Sequence, residues 1–462
     1  MSAPLARYER AARKAQADGR VPALAVALHR ADRDPWVFTL GDSGNPDHPL
    51  GPDSRFRIGS VTKTFTAVLV MQARDDGLLD LDQPLSTHLA VPAHGDATIR
   101  RLLSHTAGLQ REPHGDVWDT LIAPDAAGLL DELDRAERVL PNARRYHYSN
   151  LAFAVLGQLV ARLRGTSWEK LLADRVLTPL GLDSTTTATP AAAAVGYVVD
   201  AYSDAARPEP QVEMGGVAPA AQLWSTAGDM ARWAGFLAAP ATVDPDGAVL
   251  DAATVDEMRW PLTTTDEALW TNGYGLGLML DPQGKRVVHA GHDGAMPGFL
   301  AGVYGRHGGE DTPDALGCAA LGSAGTAGEI NQLVHELLRL AAELDPADIK
   351  PWAPAPPAPA AYRSILGPWW TEGTQLVFSW HGGALQARVA GAPAGRPPAV
   401  FRPLAGQPDV LRTVSGREAG ELLRLTRDAG GAVVRMHWAT YRVTRVQEAF
   451  DGRPASSGPE PR

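Results

Sequence analysis

FRIGSVTKTFTAVLVMQARDDGLLDLDQPL, residues 56–85, carries the reading on which the rest depends. From Thr62 to Ala73 every residue is compatible with a helix, and Asp75-Asp76-Gly77 supplies a stop. Ser60 and Lys63 stand at the start of that helix. Residues three apart share a helix face, so the serine hydroxyl and the lysine amine can meet. A serine hydroxyl is a poor nucleophile until an adjacent base takes its proton. A lysine can act as that base when burial and positive potential lower its pKa. The helix N-terminus supplies positive potential, its free N–H groups can stabilise an oxyanion, and Gly59 permits a tight turn just before Ser60. The chain has five lysines against 38 arginines, so a lysine inside a motif is informative; arginine cannot lose its proton near neutral pH.

The spacing S-x-x-K alone is weak, because Ser167-Trp168-Glu169-Lys170 has it too. That second copy reads as a helix start, with Thr166 or Ser167 as cap and Lys170 in solvent. Two further motifs separate the first copy from the second. Tyr148-Ser149-Asn150 precedes a helix; Tyr148 can shuttle protons beside a lysine, and the Asn150 amide can orient Lys63 and hydrogen-bond a substrate amide. Taken alone, the same three residues read as a helix cap. His292-Asp293-Gly294 follows a strand. Gly294 lets a substrate backbone approach, and the next N–H, of Ala295, is placed to complete an oxyanion hole. His289 falls on the opposite strand face from His292, which argues against a metal site and for a structural role.

The bulk numbers agree with an ordinary globular protein. The chain has 462 residues, 44% apolar and 21% charged, with a formal net charge of −10. Two to four domains are expected, and nucleic acid is excluded as the main partner. The single cysteine, Cys318, lies in the apolar run 315–321 and reads as a buried strand residue. The first twenty residues show no secretory h-region, and no stretch approaches a membrane span, so a soluble, cytoplasmic protein is expected. H-E-x-x-H, paired cysteines, G-x-S-x-G, the P-loop and the dinucleotide fingerprint are absent from the sequence; neither a metal nor a cofactor is expected.

Outward from the motif, 4–19 has helical spacing, and 21–30 and 35–40 read as two strands. Residues 98–190 read as mainly helical. The runs 273–280, 286–294 and 315–321 read as strands, and 329–344 as a helix. This pattern suggests an α+β or α/β domain with an all-α insertion. PWAPAPPAPAA (351–361) reads as a semi-rigid linker. Beyond it, short strand-like runs such as QLVFSW, LQARVA, LLRLT, AVVRMHW and YRVTRV alternate with glycine turns, as in a small antiparallel barrel. The expected division is 1–348, linker 349–361, barrel 362–450 and a disordered tail 451–462.

The set SVTK, YSN and HDG, in that order, resembles the serine β-lactamase and penicillin-binding-protein family, in the branch of class C β-lactamases, D-aminopeptidases and esterases. LLSHTAGL (102–109), the run 148–182, LWSTAGDMARW (223–233) and GHDGAMPGF (291–299) extend the resemblance over about 20–345. It implies an α+β fold with an antiparallel sheet, helices on its faces and an all-α insertion. It implies a Ser60 acyl-enzyme, Lys63 as base, Tyr148 protonating the leaving group, Asn150, His292 and Gly294 binding substrate, and the N–H groups of Ser60 and Ala295 as oxyanion hole. Two positions depart from the family's K-T-G. His292 stands in place of the lysine and Asp293 in place of the threonine, which removes a carboxylate anchor and predicts poor β-lactamase activity. The C-terminal barrel resembles lipocalin-like domains of D-aminopeptidase relatives, and the layout is similar to penicillin-binding-protein-type thioesterases that cyclise nonribosomal peptides. The expected function is a serine hydrolase of peptide amide or ester bonds, selective for D-residues. The alternatives are transfer of a peptidyl group, from a carrier protein, to an amine, and a non-catalytic binding protein on the same fold. Arg442 and Arg445, near the last strand, are candidates for binding a peptide carboxylate or a carrier protein.

Overall fold

The computed structural model describes residues 3–140, 145–266, 268–309, 312–349, 351–393, 396–449 and 454. It divides into two units, Met1–Ile349 and Lys350–Arg462. The tail read as disordered lies, apart from Pro454, outside the described residues.

The first unit is built on an eight-stranded antiparallel sheet. Its spatial order is Arg33–Gly41, Ala23–Arg30, Gly317–Gly322, Phe299–His307, Val287–Met296, Met279–Gly284, Gly273–Tyr274 and Thr263–Thr264. The first and last thirds of the unit therefore share one sheet, and the region between them lies outside it. Period-two alternation decides what each strand face meets. Ala23, Ala25 and Ala27 join one core, with Ala319 and Leu321; Leu24, Val26 and Leu28 join the other, with Cys318 and Ala320. The second core holds the helices Ala3–Asp18 and Glu329–Leu344. The first core holds the helix Ala227–Ala238 and the helix that follows Ser60, Thr62–Asp75. Small residues on this face let Ala227–Ala238 lie close to the sheet.

Trp233 joins that helix to the helix Thr62–Asp75. Its ring is fully buried and stacks on Phe65 with centroids 3.9 Å apart, and its Nε1 donates to Thr64 Oγ1 at 2.8 Å. Trp233→Ala should cost about 3–5 kcal/mol, from lost burial and the cavity left behind. Denaturant unfolding of the variant, with the midpoint lowered and the slope unchanged, checks it.

The stretch 98–190 is less helical than its composition suggests. Asn150–Arg164 is a full helix, but Leu103 to Asn150 is spanned by short pieces, Val117–Thr120 and Ala126–Asp131 among them. Pro113 and Pro124 and the left-handed glycines Gly108 and Gly115 interrupt it. The run 273–280 is likewise two strands joined by a turn, in which Gly275 N donates to Leu278 O.

The second unit is a nearly closed meander of eight antiparallel strands: Gly367–Thr371, Thr374–His381, Ala384–Val389, Ala399–Leu404, Gln407–Ser415, Leu422–Arg427, Val433–Trp438 and Tyr441–Val443. Trp370 and Thr444 close the ring through two backbone hydrogen bonds, of 2.7 and 2.9 Å. Trp369, Phe378, Phe401 and Trp438 fill the interior. Residues 351–359 form neither helix nor strand, and a short helix, Ala360–Arg363, begins within the stretch read as linker. Among the described residues no helix is long and apolar enough to cross a membrane.

Candidate active site

Ser60 lies in a short 3-10 turn, Gly59–Val61, that feeds directly into the helix Thr62–Asp75. Gly59 holds a φ of +50°, and a Cβ there would stand 2.6 Å from Ala295 N. A Cβ on Gly294 would stand 1.9 Å from Ile58 O. Only glycine at both positions lets the strand Val287–Met296 press against the serine turn, and that contact brings the Ala295 backbone against Gly59, the residue before Ser60.

The threonines of the following helix fix its other neighbour. Thr66 Oγ1 donates to Pro219 O at 2.7 Å, and Thr62 Oγ1 accepts from Leu223 N at 3.2 Å. The segment between them thereby presents Ala220 O to Lys63 Nζ, 2.9 Å away. Nζ is also 2.9 Å from Ser60 Oγ. Lys63 has no exposed surface, whereas Ser60 is half-buried and within reach of solvent. Burial holds the lysine pKa well below its ordinary range; Glu112 opposes the shift and Arg111 adds to it. A neutral amine at this distance can accept the hydroxyl proton.

Tyr148 completes the group. Its ring lies 4.9 Å from Nζ, and the Ser60 side chain acts on its phenol. Burial raises the Tyr148 pKa, partly offset by the Ser60 side chain, so the phenol keeps its proton at neutral pH. Arg111 lies over the same ring at 4.8 Å. Ser149 caps the helix Asn150–Arg164 by accepting from Ala152 N at 3.0 Å, so the cap reading of this motif holds for the serine while the tyrosine faces Ser60.

Two expected contacts differ. Asn150 does not reach Lys63: its Nδ2 donates to Glu112 Oε1 at 2.6 Å, and its Oδ1 has no partner among the described residues. His292 was read as touching substrate, but its ring has no exposed surface. Its Nδ1 donates to Asp293 O at 2.5 Å, so its Nε2 accepts from Tyr274 OH at 3.2 Å. Burial, with Lys63 nearby, lowers its pKa to about 3, so it stays neutral. Asp293 points to the opposite face, where Tyr304 OH donates to it at 3.1 Å, and burial raises its pKa to about 6. It therefore repels no anion at Ser60.

Glu112 and His105 were missed by the sequence reading. Glu112 follows LLSHTAGL in a loop and carries a buried carboxylate oxygen, Oε2, without a partner among the described residues. His105 is buried against Tyr146, Tyr148, Phe153 and Tyr274, and its Nδ1 accepts from Ser149 N at 3.1 Å. Position within LLSHTAGL was the only available signal for His105. At the second S-x-x-K, Ser167 caps its helix by accepting from Lys170 N at 3.3 Å, and Lys170 pairs with Asp174 in solvent. On the far face His289 bonds His335 through their Nδ1 atoms at 2.8 Å. Among the described residues no group of three His, Cys, Asp or Glu could hold a metal.

A helix-borne serine beside a buried lysine, on an antiparallel sheet flanked by helices, defines the fold class of serine β-lactamases and penicillin-binding proteins, a class of serine hydrolases and acyltransferases. The chain belongs to the family described as Beta-lactamase, whose model matches residues 8–309. Residues 358–445 match a second model, described as a domain of unknown function (DUF7586). Penicillin-binding protein 4 of Amycolatopsis lactamdurans is 33% identical over 344 residues, 70% of this chain and 86% of that protein. Other curated relatives are longer, and the chain spans about half their length, 48% and 55% for two of them. Among solved structures, SurE is 23% identical with a TM-score of 0.61, over 96% of this chain and 100% of that one. A D-stereospecific amidohydrolase from Streptomyces sp. is 26% identical with a TM-score of 0.57, over 72% of this chain and 97% of that one.

Proposed function

We propose that the chain is a serine hydrolase of peptide amide or ester bonds that works through an acyl-enzyme on Ser60 and selects D-residues at the acyl end. The observation that carries this reading is the 2.9 Å approach of the buried Lys63 amine to the half-exposed Ser60 hydroxyl. Lys63 takes the hydroxyl proton as Oγ attacks the substrate carbonyl. The N–H groups of Ser60 and Ala295 receive the developing oxyanion. Tyr148, beside Lys63, passes a proton to the leaving group and takes one back from the Lys63 ammonium, which restores the neutral amine. Water then repeats the sequence to release the acid. Gly294 lets its strand press against the serine turn, Asn150 is held on Glu112 with a buried, unpaired Oδ1, and His292 holds Tyr274 in place rather than touching substrate. The similarity to a D-stereospecific amidohydrolase supports the stereochemical part.

The ring of Tyr146, Tyr148, Tyr274, His105 and Phe153 favours a second reading, in which the same acyl-enzyme is passed to an amine, as in cyclisation of a peptide delivered by a carrier protein. An aromatic wall limits water at the acyl group. Mass spectrometry of products from peptidyl thioesters with D- or L-residues at the acyl end and a free amine decides between them. Free acid, formed faster from the D-series, is the expected result. Product formed by loss of thiol without added water establishes transfer instead. No Ser60-dependent product from any thioester or matching ester overturns both.

A further inference from the structure

Tyr148 stands in a loop, outside any helix or strand, so contacts beyond its own backbone have to set where its phenol lies. The residues on either side of it are both tied to His105. His147 N donates to His105 O at 2.8 Å, and Ser149 N donates to the His105 ring at Nδ1, at 3.1 Å. The same ring packs on Tyr148, with centroids 4.4 Å apart. His105 therefore holds Tyr148 by two backbone bonds and a ring face.

The conformation and protonation of His105 suit it to this task. Its φ is +56°, a left-handed value that is uncommon for a bulky side chain and persists where the surroundings enforce it. A ring nitrogen that accepts a hydrogen bond carries no proton, so the neutral imidazole bears its proton on Nε2. Nε2 is buried without a partner among the described residues, which leaves Nδ1 as the hydrogen-bonding atom of the ring. Burial, with Lys63 nearby, lowers the His105 pKa well below its ordinary value, so Nδ1 stays free to accept at neutral pH.

We propose that His105 is the positioning residue for Tyr148: its Nδ1 and its carbonyl fix the loop so that the phenol reaches the leaving group. This rests on the proton-donor role given to Tyr148 above. A misplaced phenol deprives the leaving group of its proton and leaves the attack by Ser60 intact, so the defect depends on what departs. From a methyl ester, the phenol proton goes to the departing methoxide, giving methanol, and is replaced from the Lys63 ammonium. From a 4-nitrophenyl ester the leaving group departs as a stable anion and needs no proton.

The test compares kcat/KM on the methyl and 4-nitrophenyl esters of one D-residue, with the full chain. Tyr148→Phe should lower the methyl ester about 10²-fold or more and the 4-nitrophenyl ester about tenfold or less. His105→Phe keeps a ring and loses the acceptor, and should open a gap of about tenfold or more between the same two esters. His105→Asn should close most of that gap, because its Oδ1 can accept from Ser149 N and asparagine tolerates a left-handed backbone. His105→Gln, which carries its amide one bond further out, stands in if the phenylalanine variant does not fold, with the same gap expected. Equal losses on both esters in His105→Phe and His105→Gln, or no recovery in His105→Asn, overturn the positioning role and leave Tyr148 as donor. No gap in Tyr148→Phe, or no turnover of the methyl ester by the unmodified chain, overturns the donor role and this proposal with it.

Discussion

Ser60→Ala should abolish acylation. With an activated D-aminoacyl ester, acid-quenched mass spectrometry of the unmodified chain should show the acyl adduct, and that of the variant should show none. Turnover should fall by roughly 10⁴-fold or more, leaving what substrate binding and the oxyanion donors supply alone. The size follows from chemistry: without Oγ there is no covalent intermediate, and Lys63 is left with no proton to take. Ser167→Ala is the matched control. That serine has the same spacing to a lysine, but it caps a helix and Lys170 is paired with Asp174. Its loss should cost about 0.5–2 kcal/mol of stability and leave activity nearly intact. Acylation that survives Ser60→Ala and vanishes with Ser167→Ala would put the nucleophile on the other motif.

The contrast between the two serines shows what sequence can and cannot reveal here. Both copies of S-x-x-K were visible, and their company along the chain told them apart. Four strands of the sheet, Arg33–Gly41, Ala23–Arg30, Val287–Met296 and Gly317–Gly322, were legible as apolar runs, and the family resemblance gave the antiparallel pairing; Phe299–His307 and Thr263–Thr264 were not read. Asp293 was legible in principle: period-two alternation that puts His289 and His292 on opposite faces also puts Asp293 behind His292, where Tyr304 meets it. The barrel was read from five runs, but Gly367–Thr371, Ala399–Leu404 and Gln407–Ser415 escaped. Pro403 and Pro408 break the strand signal there, and the ladder accommodates them beside a register shift at Pro403/Leu404. Glu112 was invisible for a different reason. It sits in an irregular loop, and its relation to Lys63 and Asn150 exists only after the chain has folded.

That loop glutamate and the buried lysine give the second large effect. Lys63→Ala should lower kcat/KM by roughly 10²–10⁴-fold, the usual contribution of a positioned base. Lys63→Arg should be no better, because a guanidinium does not release its proton in this range. The pH profile distinguishes a base from a merely structural lysine. The active form is the neutral amine, so activity should rise with pH through the lysine's own pKa and then level off. Burial depresses that pKa, so the plateau should be reached well below the ordinary lysine value of about 10.4, and activity should be lost as pH falls through the depressed value. Glu112 holds the pKa up against burial. Glu112→Gln should therefore move the acid limb to lower pH, whatever it does to substrate affinity, while Lys63→Ala should remove the lysine-dependent limb. An acid limb that persists in Lys63→Ala, or that moves to higher pH in Glu112→Gln, would mean that another group supplies the base. Such an outcome would leave the Ser60 acyl-enzyme standing and transfer the proton role to a group other than Lys63.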